Sequence, residues 1–148
     1  MNIQVLELLL GVDMAHFCEL NSNNVVIRTL IVHNNELLDK NGYEREENGV
    51  KFLKKIYGDN TVWVQTSYNN SFRRKFATSG WSYNYEKDVF VEPQPFPSWS
   101  LNLETLIWEP PIPMPEFTDD TFYWWSETNM KWMAVYEPGW RQPPPPSN

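Results

Sequence analysis

The sequence predicts an α+β fold: a small antiparallel sheet with one packed helix, followed by tandem β-hairpins joined by proline-rich extended segments. Three observations predict it. Before residue 80 the apolar residues fall in short β-branched and aromatic runs, interrupted by one stretch of helical period. From Tyr83 onward a short aromatic motif recurs. All twelve prolines lie at or beyond Pro93, between and after the copies of that motif.

The opening MNIQVLELLLGVD is apolar but has no basic start and no small-residue cleavage site, and it is too short to span a bilayer. Residues 1–13 are therefore expected to be an extension that adds little to the fold, with Met14 a candidate translation start. Residues 15–20 and 25–33 flank the turn-formers Asn21-Ser22-Asn23-Asn24, which makes a hairpin. The second run is apolar at nearly every position, so it is expected to be the central strand, covered on both faces.

A loop with a helical turn near Glu36 leads to a helix expected from Glu44 to Tyr57, closed by Gly58. Acids fill its first turn, and Lys54 and Lys55 its last, which complements the helix dipole. Val50, Phe52, Leu53, Ile56 and Tyr57 supply its apolar side. Gly49 sits within it at a cost of about 1 kcal/mol relative to alanine. Thr61 to Ser67 alternates as a strand, residues 68–71 turn, and residues 72–77 are expected to return as a further strand.

The recurring motif reads Tyr83-Asn84-Tyr85-Glu86-Lys87-Asp88-Val89-Phe90, then Leu101-Asn102-Leu103-Glu104-Thr105-Leu106-Ile107-Trp108. Its third copy, from Trp124 to Trp132, reads one residue longer across the turn. Each copy is apolar–polar–apolar, then a polar turn, then a bulky apolar residue, which is hairpin patterning. The spacers Pro93-Gln94-Pro95-Phe96-Pro97 and Pro110-Pro111-Ile112-Pro113-Met114-Pro115 are expected to be extended, because proline cannot donate to a ladder. The predicted organisation is an extension (1–13), an α+β head (14–80), an arm of aromatic hairpins and proline struts (81–140) and a disordered proline-rich tail (141–148). A lone two-stranded hairpin is marginal in water, so the hairpins must pack on the head, on one another or on a partner.

Charge is uneven along the chain. The net charge is -7, yet residues 1–80 hold nine acids and nine bases, while residues 81–148 hold ten acids and three bases. An acidic arm is repelled by phosphates and anionic lipid, which argues against nucleic acid or membrane as the partner. The single cysteine, Cys18, excludes an intrachain disulfide and a multi-cysteine metal site, and its apolar setting reads as a buried, inert thiol.

No catalytic, metal or cofactor site is predicted. His16 and His33 stand alone on strands, and there is no nucleophile elbow, phosphate loop or His-x-x-x-His. Asp119-Asp120 reads as a solvated turn. Phe72-Arg73-Arg74-Lys75-Phe76 interleaves cations with aromatics, as nucleic-acid binders do, but reads better as a half-solvated strand whose cations pair with the acidic half. Trp108 and Trp140 beside prolines invite comparison with proline-binding modules of the WW kind, but the tryptophan spacing does not fit. The four-proline tail reads as solvated rather than as a ligand for such a module.

Seven of the eight tryptophans lie from Trp81 onward. Trp99, Trp108, Trp124, Trp125, Trp132 and Trp140 are the candidate contacts for a partner or a glycan. Indole faces stack on sugars, with Asn102, Glu104, Glu127 and Asn129 available for hydroxyls. Tryptophan filling a core or a protein interface is the commoner use.

From Met14 the sequence resembles a small family of proteins of marine tailed phages, cyanophages among them. The resemblance rests on Met14-Ala15-His16-Phe17, Leu37-Leu38-Asp39, Gln65-Thr66-Ser67-Tyr68-Asn69, Phe72-Arg73-Arg74, Tyr83 and Tyr85, Pro97-Ser98-Trp99, and Trp108-Glu109-Pro110-Pro111-Ile112-Pro113. It covers about residues 14–137. It implies a virion component without a defined chemistry; with no catalytic motif in the chain, the expectation is a non-enzymatic protein of the virion, made in the host cytoplasm during assembly, with capsid or tail proteins as partners. Residues 1–13 and the tryptophan- and proline-rich C-terminal tail depart from the pattern. A glycan- or host-surface-binding module is the alternative.

Overall fold

A computed structural model describes residues 14–67, 72–73, 76–116 and 121–135. The expectations for residues 1–13, for Trp140, for Asp119-Asp120 and for the tail at 141–148 lie outside the described residues. Among the described residues there is one α-helix with several small antiparallel sheets, so the α+β class stands in its coarse form. The chain divides into two compact units, residues 1–93 and 94–148.

The first unit is built on a three-stranded antiparallel sheet of β1 (Met14–Leu20), β2 (Val26–His33) and β3 (Val62–Thr66), in the order β2-β1-β3. β1 and β2 form the expected hairpin. The central strand, however, is β1 and not β2. Every β1 residue after Met14 is buried, whereas Ile27 and Ile31 of β2 are about half exposed. The reason is topological: β1 has a hydrogen-bonded strand on both sides, and β2 lies at the edge, so a continuous apolar run did not mark the middle of the sheet.

Alternation along β1 feeds two separate cores. Ala15 and Phe17 face one side with Val32, Leu37, Leu53 and Trp63. That side is covered by a 3-10 turn (Asn34–Leu37) and by helix α1 (Glu46–Tyr57). The helix starts two residues later than expected. Glu44 pairs with Leu38 in an isolated bridge, and Arg45 is extended at φ −131°, ψ 122°, with its N–H donating to Leu37 O at 2.8 Å. Gly58, at φ 113°, ends it as expected.

Cys18 and Leu20 face the other side with Val26, Val64, Ala77, Tyr83 and Phe90. Tyr83 and Phe90 belong to the first motif copy, which folds as the hairpin β4 (Ser82–Asn84) and β5 (Val89–Val91). The first hairpin is thus part of the head, and the break expected after residue 80 falls after Pro93. Backbone bonds hold it there: Val26 N–H donates to Trp81 O at 2.7 Å, and Tyr83 N–H to Asn24 O at 2.8 Å.

The further strand expected over residues 72–77 is absent among its described residues. Arg73 stands at φ 50°, a left-handed conformation that no strand tolerates.

The second unit contains two more hairpins: β6 (Ser100–Asn102) with β7 (Ile107–Glu109), and β8 (Phe122–Ser126) with β9 (Lys131–Val135). No strand or helix falls between Glu92 and Trp99, or among the described residues between β7 and β8 other than a bridge at Thr121.

Candidate interaction surface

The three motif copies fold alike, down to their turns. Four residues lie between the paired ends in each: 85–88, 103–106 and 127–130. The third copy is therefore not longer. Its outer pair is Trp125 opposite Trp132, matching Tyr83 opposite Phe90 and Leu101 opposite Trp108. The last loop residue is left-handed every time, at φ 52° for Asp88, 53° for Leu106 and 49° for Met130.

The residue that opens each turn accepts backbone N–H groups through its side chain. Asn84 takes Lys87 N–H at 2.8 Å, Asn102 takes Glu104 and Thr105 N–H at 2.9 and 3.1 Å, and Ser126 takes Asn129 N–H at 3.3 Å. Short polar side chains at that position mimic a turn of backbone, which is why the motif needs Asn or Ser there.

β8 and β9 carry apolar residues on both faces. On one, Trp125 and Trp132 pack edge to face at 5.5 Å, and Trp99 meets them at 6.5 and 6.0 Å with Phe96 beside it at 5.7 Å. Trp132 also donates its indole N–H to Ile112 O at 2.8 Å. Glu127 locks this side. Its carboxylate accepts from Ser98 N–H at 2.9 Å, from the Ser98 hydroxyl at 2.7 Å and from the Trp125 indole at 2.9 Å. Those bonds, that of the Ser98 hydroxyl foremost, hold its pKa below the usual glutamate value.

The opposite face follows from register. Trp124 lies opposite Met133 and Phe122 opposite Val135, so these four side chains share the other side of the ribbon. Trp124 is 51% exposed and Phe122 41%. The six candidate tryptophans thus divide. Trp125 is core; Trp99 and Trp132 are half-buried in the aromatic cluster; Trp108 is half-buried on β7; Trp124 alone of the five described ones is exposed; Trp140 lies outside the described residues.

In the first unit a second polar cluster forms, which sequence reading missed. Arg73 Nη1 and Nη2 grip Glu46 at 2.6 and 2.9 Å, Nε donates to Asp88 at 2.7 Å, and the Tyr83 hydroxyl also donates to Asp88. Burial pulls the Arg73 pKa down, but the bonds to Glu46 and Asp88 outweigh it and leave it raised. The Tyr83 hydroxyl bond, followed by burial working the other way and the Arg73 contact, leaves Asp88 below the usual carboxylate range. The sequence pointed only to cations of this stretch pairing with the acidic half, as Arg73 does with Asp88, itself the left-handed turn residue; the bonds to Asp88 and Glu46 span 15 and 27 residues.

His16 is buried with Phe76 edge-on at 5.3 Å, and His33 Nδ1 accepts from Asn35 N–H at 3.1 Å. Among the described residues no three His, Cys, Asp or Glu side chains come together as a metal site, and no helix is long and apolar enough to cross a membrane.

Comparison with protein-family models, with curated proteins and with solved structures gave no match to this chain.

Proposed function

We propose that this protein is a non-enzymatic structural or accessory protein of a tailed-phage particle that docks on a capsid or tail surface through its second unit. The observation that carries the reading is the split of aromatics on β8–β9. One face is filled by the protein's own Trp99, while the other presents Trp124 and Phe122 with Met133 and Val135. Exposed aromatics on a two-stranded ribbon are of the residue types that dominate protein interfaces.

Charge supports a protein partner with a cationic rim. Seven acids stand against two bases from residue 94 onward, which disfavours nucleic acid and anionic lipid. In this reading the spacers 93–97 and 110–115 are stiff, extended proline struts that lose little entropy when the unit docks. The sequence resemblance to marine phage proteins points the same way.

The experiment is fractionation of phage particles carrying wild-type or Trp124→Ala protein. Copurification of the wild type at stoichiometric copy number, and its loss for Trp124→Ala, supports the reading. Loss of a single exposed anchor of this kind weakens binding by roughly tenfold or more. Trp124→Ala is expected to alter stability by less than about 0.5 kcal/mol. Trp125→Ala is the folding control and is expected to cost about 3–5 kcal/mol. Absence of the wild type from purified particles sinks the reading. If indole fluorescence then quenches with added polysaccharide, and does so only with Trp124 intact, a glycan-binding module takes its place.

A further inference from the structure

Among the described residues β3 is an edge strand, paired with β1 alone. Its sequence, Val62-Trp63-Val64-Gln65-Thr66, is uncharged, free of proline and rich in β-branched and aromatic residues. That is the composition that recruits another strand through its open N–H and C=O groups.

At Gln65 the open groups are taken by side chains. Gln65 N–H donates to Glu46 Oε1 at 2.7 Å, and Gln65 O accepts from Arg73 Nη1 at 2.7 Å. Arg73 in turn holds Glu46 with two bonds. The acceptor and the donor are thus presented side by side and tied together, in the pattern a peptide of a neighbouring strand would present. Each comes from a different element. Glu46 is the first residue of α1, and Arg73 stands in the segment leading to β4, fixed from behind by Asp88.

A guanidinium with only 15% of its side chain exposed is costly to desolvate, and Arg73 satisfies it by placing all three nitrogens on acceptors. Beside Trp63 and Val64 runs an open groove of about 560 Å³ that also takes in Val50, Tyr83 and Tyr85. Side chains of an added strand would fit there.

We propose that the Glu46–Arg73 pair is a plug that closes the β3 edge, and that the strand it keeps out is β3 of a second copy of this chain. Antiparallel pairing of one edge with itself is two-fold symmetric and needs no other surface.

The test is Arg73→Met, with folding checked by circular dichroism and mass by light scattering. A folded Arg73→Met protein is expected to self-associate on the order of tenfold more strongly than wild type. Adding Gln65→Pro, which removes the outward N–H while leaving the bonds to β1, is expected to restore the wild-type state. A folded Arg73→Met protein that associates no more than wild type overturns the proposal, as does association that survives Gln65→Pro. Should Arg73→Met not fold, hydrogen exchange of the wild type decides. A Gln65 amide protected like those of Val64 and Thr66 supports the plug, and one that exchanges freely overturns it.

Discussion

Phe17 lies in the space that a side chain on Gly49 would occupy. A methyl group there would stand within 2.9 Å of Phe17 Cε2 and nearer still to the tip of the ring. The helix therefore crosses β1 at a distance that only glycine permits, and the helix-breaking residue is what lets α1 seal the core around a fully buried phenylalanine.

Gly49→Ala is accordingly expected to destabilise the protein, although alanine is favoured over glycine in a helix by about 1 kcal/mol. Overpacking of this kind costs about 1–3 kcal/mol net. Phe17→Leu alone leaves a cavity and is also destabilising. The two together are expected to cost less than the sum of the singles, as a double-mutant cycle from denaturant midpoints will show. Additive effects would mean that the ring and the helix backbone do not compete for this space.

Cys18 makes stability sensitive to alkali. Burial pushes its thiol up to about 11, with hydrogen bonds from Thr29 and Thr66 opposing the rise, against 9.0 for the free group. The folded state then holds the thiol proton more tightly than the unfolded state. Its contribution is present below pH 9 and is lost as pH rises towards 11, to a total of about 2–3 kcal/mol. Wild type minus Cys18→Ala isolates this slope from lysine and tyrosine titration. The native thiol is expected to resist alkylation at pH 8 until the protein is unfolded.

Glu127 gives the second unit the opposite dependence. Its pKa is held below 4.5 by the Ser98 hydroxyl, the Trp125 indole and Ser98 N–H. The stabilisation is present above the unfolded glutamate value and is lost as pH falls through the lower folded one. Acidification below pH 4.5 is therefore expected to loosen Trp99 from Trp125 and Trp132 and to shift indole emission to the red. Glu127→Gln should show the shifted emission already at neutral pH and little further change on acidification. A Glu127→Gln profile that overlays the wild type would rule this out.

Met130 occupies the left-handed end of the third turn and is exposed, whereas Leu106 in the same position of the second is buried and Asp88 in the first holds Arg73. A non-glycine residue in this conformation costs about 1–2 kcal/mol. Met130→Gly relieves that and forfeits part of it in chain entropy, so a gain of about 0.5–1 kcal/mol is expected from thermal unfolding. Leu106→Gly should destabilise instead, because the side chain it removes is packed.

Local patterning was enough for much of this architecture. Turn residues Asn21 to Asn24 announced the first hairpin, acids and lysines bracketed α1, and the recurring motif marked three hairpins at the right places. These signals are short-range: alternation, capping and turn chemistry act between residues a few positions apart, so they are written in order along the chain. What the sequence could not rank was partners. The apolar run of β2 looked central, but β1 took the middle because β3 pairs with it from 42 to 50 residues away. Arg73 read as one cation of a strand, and became the clamp on Glu46 and Asp88 only because α1 and β4–β5 converge on it. Six tryptophans looked equivalent, and the register of Trp125 against Trp132 decided that Trp125 is core and Trp124 is surface. Neighbouring residues on a strand face opposite ways, so one step along the chain separates an interior residue from a contact.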